Sequence, residues 1–500
     1  MHFFYFKKTV RFLIIASFFF VITPAYGISF VYTPLLNEAQ NHLVALRLNK
    51  ARFYIAAEQK NNPDNIACDY LMAYVEFYHI MIHQQKNKHE AYEIIKNKVV
   101  DKIKLLPETN PARLYLLGSV HLQGAFVKGV FNEYLSAAFE FRTSYQYLEK
   151  NKIRFPSYLS NQKDLGALQA LLGTFPENVK WIISTLGLNG SFEEGTNQLL
   201  NYIQHSGKEP IIEQQQAAIF YALIQLNFGS DKQVAWTFYQ KYSTDYTGNL
   251  MQNYVRAYVA GKCGHNDEAI AILQAKPNTN DYEWIPYLDF LMGSFLLNRL
   301  DLEGAVWLKK YAAFNQTRGS LKDTYQRLSW CSLLQKDTAR YRIYHNLMIK
   351  SAKNASSEEK LVDIDLNKGI FPNLGLIKAR LYFDGGYYKN SEAQMLLINE
   401  PRLPSDFQKV EYFYRLARNA HEQKNYSKAI NNYDKAILYA KGMQTYMAPN
   451  SCLQLGLIYQ TLNYTPNART YFNNVFEYSN YDYQSSIEQK AKAGIIQLKK

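Results

Sequence analysis

The stretch Val410-Glu-Tyr-Phe-Tyr-Arg-Leu-Ala-Arg-Asn-Ala-His-Glu-Gln-Lys-Asn-Tyr-Ser-Lys-Ala-Ile-Asn-Asn-Tyr-Asp-Lys-Ala-Ile437, within a unit spanning 410–443, decides the fold. Phe413, Leu416, Ala417 and Ala420 recur at the spacing of one helix face. Ala429, Ile430, Tyr433, Ala436 and Ile437 mark a second such face, and Lys424-Asn425-Tyr426 turns the chain between them. Small side chains at Ala417, Ala429 and Ala436 let two helix backbones approach closely. Phe413, Tyr426 and Tyr433 fill the space around that approach.

The same large-and-small pattern recurs outward from this unit. Residues 449–482 carry Leu455, Gly456, Tyr459, Ala468 and Phe472; residues 372–405 carry Ala379, Tyr382, Gly386, Tyr388, Ser391 and Met395. Residues 286–319 repeat it through Met292, Gly293, Ala305, Val306 and Ala312, and residues 250–283 through Ala257, Ala260, Gly264, Ala269, Ile270 and Leu273. Residues 323–347 form a degenerate pair, and 348–370 read as a polar connection. A last helix over 485–498 is expected to cap the stack.

This pattern resembles the tetratricopeptide repeat (TPR). The resemblance implies an all-α fold, a right-handed superhelical solenoid of roughly ten to twelve antiparallel helix pairs. It also implies a protein or peptide partner held in an inner groove lined by first-helix residues. In this register those are Leu376, Arg380, Phe383 and Asp384, then Tyr414, Arg418, His421 and Glu422, then Leu453, Leu457 and Gln460. Arg380 and Arg418 are equivalent positions, and two guanidiniums along a groove suit the carboxylates of a peptide. Phe383 and Tyr414 are expected to supply apolar contact area. Ion pairs of the two arginines with Asp384 and Glu422 are the competing use of the same charges.

The N-terminal half follows the pattern less clearly. Helical spacing runs through Ala39, Leu43, Leu46, Ala51 and Ile55, breaks at Asn62-Pro63-Asp64-Asn65, and resumes through Leu71, Tyr74, Val75, Tyr78 and Ile82. His79 and His83 stand one turn apart with Glu76 nearby, but no third ligand sits at a diagnostic offset. His89 falls past the expected helix end, so no metal is expected. Lys86, Lys88, Lys96, Lys98, Lys102 and Lys104 read as the solvated side of a helix whose apolar face is Ile94, Ile95, Val99, Val100 and Ile103. A helix pair is expected over 112–124 and 127–150. The block from Leu165-Gly166 through Gly173, Thr174, Pro176, Trp181, Gly187, Gly190 and Gly195 resembles one in exported bacterial TPR proteins. Thr174-x-x-Glu177 and Ser191-x-x-Glu194 read as capping boxes, and the glycines as structural punctuation.

At 500 residues and 47% hydrophobic the chain can bury a large core. Aromatics make up 15%, with 41 Tyr and 29 Phe. The formal charge of +13 is spread among Asp and Glu and reads as solvated helix faces, which argues against nucleic acid. Lys7, Lys8 and Arg11, an apolar Phe12–Ile22 and Ala25-Tyr26-Gly27 read as a secretory signal peptide. The expectation is therefore export to the periplasm or beyond, with a mature chain from Ile28 and no membrane-spanning segment. Cys68, Cys263, Cys331 and Cys452 are widely spaced and read as buried free thiols. No nucleophile elbow, Walker loop, zincin motif or redox Cys pair is present. The reading is thus a signal peptide at 1–27, degenerate repeats over 28–205 and a TPR solenoid over 206–500. Its function is a non-catalytic interaction scaffold of the bacterial envelope, with no cofactor; glycan or lipid handling is the alternative.

Overall fold

The computed structural model describes residues 28–174, 187–314, 320–351 and 356–498. The expected signal peptide and the segment holding Pro176, Glu177 and Trp181, on which the expected capping box Thr174-x-x-Glu177 depends, lie outside these residues. Among the described residues the fold is all-α. Its extended element is a single bridge, Ser29 to Asn65, made by the lead-in strand of chain before Pro34.

Eleven antiparallel helix pairs follow one another among the described residues. They are Pro34–Val44 with Leu48–Asn61, Ile66–His83 with Lys86–Ile103, Pro111–Val130 with Tyr134–Arg154, and Asn161–Gly173 with Phe192–His205. Next come Ile211–Phe228 with Lys232–Tyr242, Leu250–Lys262 with Asn266–Gln274, Pro286–Asn298 with Gly304–Phe314, and Leu321–Leu334 with Thr338–Ser351. Leu374–Asp384 with Tyr388–Leu396, Asp406–Glu422 with Tyr426–Tyr439, and Met447–Thr461 with Thr465–Asn474 complete the series. Gln484–Gln497 caps it, packing on both helices of the last pair. The architecture is a TPR-like solenoid.

The reference unit folds as its spacing dictates. Ala417, Ala429 and Ala436 are fully buried, and Phe413, Leu416 and Tyr433 pack around them. The turn is Gln423-Lys424-Asn425, with Lys424 left-handed at φ 59°; Tyr426 already belongs to the helix. Asn425 caps that helix by accepting from the Lys428 amide at 3.2 Å.

Four expectations need correction. The connection at 348–370 contains a helix, Ser357–Asn367, started by a capping box in which Ser356 and Glu359 satisfy each other's backbone amides. The pair expected over 112–124 and 127–150 breaks later, at 131–133, where Asn132 takes a left-handed conformation. Lys96 is buried rather than solvated, because Glu140 and Glu93 neutralise it; its Nζ reaches Glu93 at 2.8 Å. Ile94 points outward instead. Gly166 and Gly195 do not punctuate. They sit inside two packed helices, and a Cβ on Gly195 would lie 2.2 Å from the Ala170 amide nitrogen.

The superhelix is wound tightly enough for distant pairs to touch. The Glu283 amide donates to the Leu46 carbonyl at 2.7 Å, and Lys50 meets Asp281 at 2.6 Å. Asn266 donates to the Tyr387 hydroxyl at 3.0 Å. There the backbones of Gly264 and Gly386 pass so closely that a Cβ on Gly386 would lie 2.7 Å from Gly264 Cα. Gln489 of the capping helix donates to the Thr174 carbonyl at 3.1 Å. These contacts divide the groove into half-open chambers. One contiguous core runs from Leu36 to Leu381, and further cores serve the last repeats. All four cysteines are free and buried. Burial pushes the thiols of Cys68, Cys331 and Cys452 up to about 12 and that of Cys263 to about 11. No described helix is long and apolar enough to cross a membrane.

Candidate functional site

Two neighbouring chambers in the C-terminal repeats hold most of the sequence-predicted residues. The larger, about 420 Å³, is lined by Tyr414, Arg418, His421, Glu422, Tyr433 and Leu453. Its remaining wall comes from far along the chain: Lys232 on one side, and Tyr483, Ser486, Ile487 and Lys490 of the terminal segment on the other. The smaller, about 300 Å³, contains Arg380 together with Trp330, Glu358, Glu411, Arg415 and Asp482. Tyr446 and Tyr483 line both, so they stand as a shared wall.

The two arginines, equivalent in sequence, are used differently. Arg380 lies over the Trp330 ring at 4.5 Å and pairs with Asp384 at 3.9 Å. Its charge is thus engaged within its own helix. Arg418 stacks on Phe383, one repeat back, at 4.2 Å, and flanks the Tyr414 ring at 5.9 Å. No ion pair joins Arg418 to Glu422 or to any other carboxylate among the described residues. Its neighbour Arg415 is paired with Glu411 instead. With Arg418, Lys232 and Lys490 against Glu422, the lining of the Arg418 chamber carries a cationic excess.

Other predicted residues are placed differently from expectation. Tyr414 is buried, and its hydroxyl accepts from Asn450 at 2.6 Å, so it offers the chamber a ring edge, not a broad face. Leu376 is fully enclosed in the core. His421 stands 3.4 Å from the Tyr433 hydroxyl; burial, with the charge of Arg418, pushes its imidazole below the usual range. Gln460 is absent from the chambers: it donates to Gln497 of the capping helix at 3.1 Å. Leu457 likewise packs under that helix.

The structure also supplies what the spacing of His79 and His83 lacked. Glu283, two hundred positions on, accepts from His83 Nε2 at 2.6 Å and lies 3.7 Å from His79 Nδ1. The three ligand atoms fall within 4.8 Å of one another, a donor set that suits a divalent transition ion. Here the carboxylate pairs with the imidazoles directly, and their hydrogen bonds hold Glu283 down to about 2.

Sequence reasoning missed a buried charged cluster altogether. Lys163, Asp164 and Glu213 are enclosed together where helices Asn161–Gly173 and Ile211–Phe228 meet. Lys163 Nζ contacts Glu213, reaches Asp164 at 3.0 Å, and donates to Gln216 at 2.8 Å. Tyr115 and Tyr70 both donate to Glu213. The available signal was a Lys-Asp pair abutting the apolar run from Leu165, without a turn between them. Beside this cluster lies a cavity of about 1350 Å³, walled by the second to seventh helix pairs, with Asp164, Ala167 and Leu171 from the fourth.

No protein-family model matches the chain, and no curated protein matches it in sequence. Among solved structures it is similar to the apo form of the quorum sensor NprR from B. thuringiensis, at 11% identity and TM-score 0.31, over 81% of this chain and 97% of that one. It is similar to a Rap protein complexed with competence and sporulation factor, at 11% identity and TM-score 0.32 over the same shares. It is also similar to a monomeric IFIT1 mutant with Gppp-AAAA, at 12% identity and TM-score 0.32, over 93% and 95%. The fold assignment rests on the helix pairs themselves.

Proposed function

We propose that this protein is a non-catalytic binding scaffold, exported after removal of residues 1–27, that receives an acidic peptide segment of a protein partner in the Arg418 chamber. The observation that carries this reading is the Arg418 guanidinium: held in place by Phe383, lining a cavity, and without a carboxylate partner among the described residues. A guanidinium so placed offers a bidentate site to a carboxylate at little cost in ordering. The chamber volume of about 420 Å³ lies within the range of ligand sites, about 300–1,000 Å³, and suits a chain end rather than a long helix. Tyr446 and Tyr483 supply the surrounding aromatic surface.

The test is fluorescence anisotropy with labelled hexapeptides ending in Asp-Glu, set beside Lys-ending controls. Acidic peptides should bind, and binding should weaken as salt rises. Arg418→Ala should cost about 1.5–3 kcal/mol of binding, the range for hydrogen bonds to a charged group. Arg380→Ala should cost clearly less, since its charge already has Asp384. Equal binding of acidic and basic peptides, or an Arg418→Ala variant within twofold of wild type, would remove the chamber from consideration.

A further inference from the structure

The 1350 Å³ cavity shares no lining residue with the Arg418 chamber. Its wall is strongly apolar. Phe126, Ile219, Phe220, Leu223, Tyr254 and Tyr287 all line it, and each is only half-buried although its helix is packed in the body of the molecule. Side chains of this kind at the ends of a solenoid would be solvent-facing and polar. Here four helix pairs turn them toward one shared cavity.

Polar side chains interrupt that wall: Gln85, Lys86 and Asn87 are exposed, Ser119 and Gln216 bond to the Tyr74 hydroxyl, and three others are buried with polar atoms left unpaired. Asp164 is 1% exposed, Gln123 4% and Tyr78 6%, and all three line the cavity. Asp164 Oδ2, both polar atoms of the Gln123 amide and the Tyr78 hydroxyl have no hydrogen-bond partner in the protein. Buried polar groups are ordinarily satisfied, and each exception calls for a reason. Leaving three beside one cavity favours a molecule that brings its own donors and acceptors. The adjacent cluster carries one cation, Lys163, against two carboxylates, Asp164 and Glu213. That balance disfavours a negatively charged head at the buried end, the wall's own lysine, Lys86, being exposed.

We infer that this cavity is a binding site for a single-chain amphiphile: an apolar hydrocarbon tail against Phe126, Leu223 and Tyr254, and an uncharged hydroxyl- or amide-bearing head at Tyr78, Gln123 and Asp164. The head donates to Asp164 Oδ2 and exchanges hydrogen bonds with the Gln123 amide and the Tyr78 hydroxyl. Lys163 has its own partners and does not contact the ligand.

The experiment uses the purified protein and the neutral fluorescent probe N-phenyl-1-naphthylamine. Its emission should rise on binding, and 1-oleoylglycerol should displace it. The same lipid carrying a 3-phosphate has an identical tail and an anionic head, and should displace the probe at least tenfold less effectively. Leu223→Trp, which projects an indole into the part of the cavity assigned to the tail, should weaken probe binding at least threefold while the thermal unfolding curve shows a folded protein. Gln123→Leu should leave probe affinity unchanged but reduce the preference for the neutral head at least threefold. Because it deletes unsatisfied polar atoms, that variant is expected to fold even where Leu223→Trp does not. Absence of probe binding, unchanged binding in folded Leu223→Trp, or equal displacement by the two lipids would overturn the inference. Arg418→Ala should bind the probe as wild type does, which keeps this outcome separate from that of the peptide assay.

Discussion

Lys163 shows how far a single side chain can depart from what its type implies. A fully enclosed lysine is tolerated only where its charge is neutralised and its donors are used. Asp164 and Glu213 neutralise it and Gln216 accepts a further hydrogen bond, and the two carboxylates hold its ammonium protonated against the cost of burial. Removing one member leaves the others buried and uncompensated. Lys163→Met should therefore lose about 3–5 kcal/mol of stability, measured by urea unfolding. Lys163→Met combined with Glu213→Gln should recover part of that loss. A single variant within about 1 kcal/mol of wild type would show that the cluster is hydrated or open. Arg380 and Arg418 make the complementary point. They are one repeat apart and alike in sequence context, yet one is tied to Asp384 and the other stacks on Phe383 without a carboxylate partner among the described residues.

At the scale of helices, the small residues set the spacing. Ala429 presses on the preceding helix and has no accessible surface. Ala429→Asp would place a carboxylate there without a partner, so the C-terminal repeats should lose on the order of 3 kcal/mol. Thermal unfolding followed by circular dichroism checks this, and an unchanged midpoint would mean the helix register is wrong. Ser357–Asn367 is the element that composition concealed. Its polar surface mimics a linker, while Ser356 and Glu359 supply a start signal that is local and readable.

For the whole molecule, the decisive feature is closure. Contacts such as Leu46 with Glu283, Gly264 with Gly386 and Thr174 with Gln489 convert a groove into chambers. Glu358 belongs to this closure, since it accepts from the Thr445 hydroxyl at 2.9 Å and the Tyr446 amide at 2.8 Å. Burial, and then the neighbouring Asp482, push its carboxyl up to about 8 from an ordinary 4.5. The folded protein therefore keeps a proton that the unfolded chain has lost. The resulting stabilisation is present below about pH 4.5 and is lost as the pH rises through about 8. Melting temperature should fall over that window on this account, and Glu358→Gln should flatten the dependence. A variant as steep as wild type would assign the slope to other groups.

The helix pairs, their all-α character and the buried alanines and glycines at their joints were legible in the sequence, because they depend on contacts between residues a few turns apart. Periodicity reports such contacts directly: Ala417, Ala429 and Ala436 are where their spacing puts them. The curvature of the superhelix was not legible. It accumulates from small rotations at every pair, and no local pattern records the sum. That sum is what brings Glu283 to His79 and His83, sets Lys490 and Tyr483 across from Arg418, and turns Phe126, Leu223 and Tyr254 toward one cavity. The sequence by itself determined the repeats and named Arg418; the tertiary structure alone decided that Arg418 lines a half-open chamber, that Gln460 does not, and that Lys163, Asp164 and Glu213 meet, because each of those depends on residues separated by dozens to hundreds of positions and joined only through the winding of the whole chain.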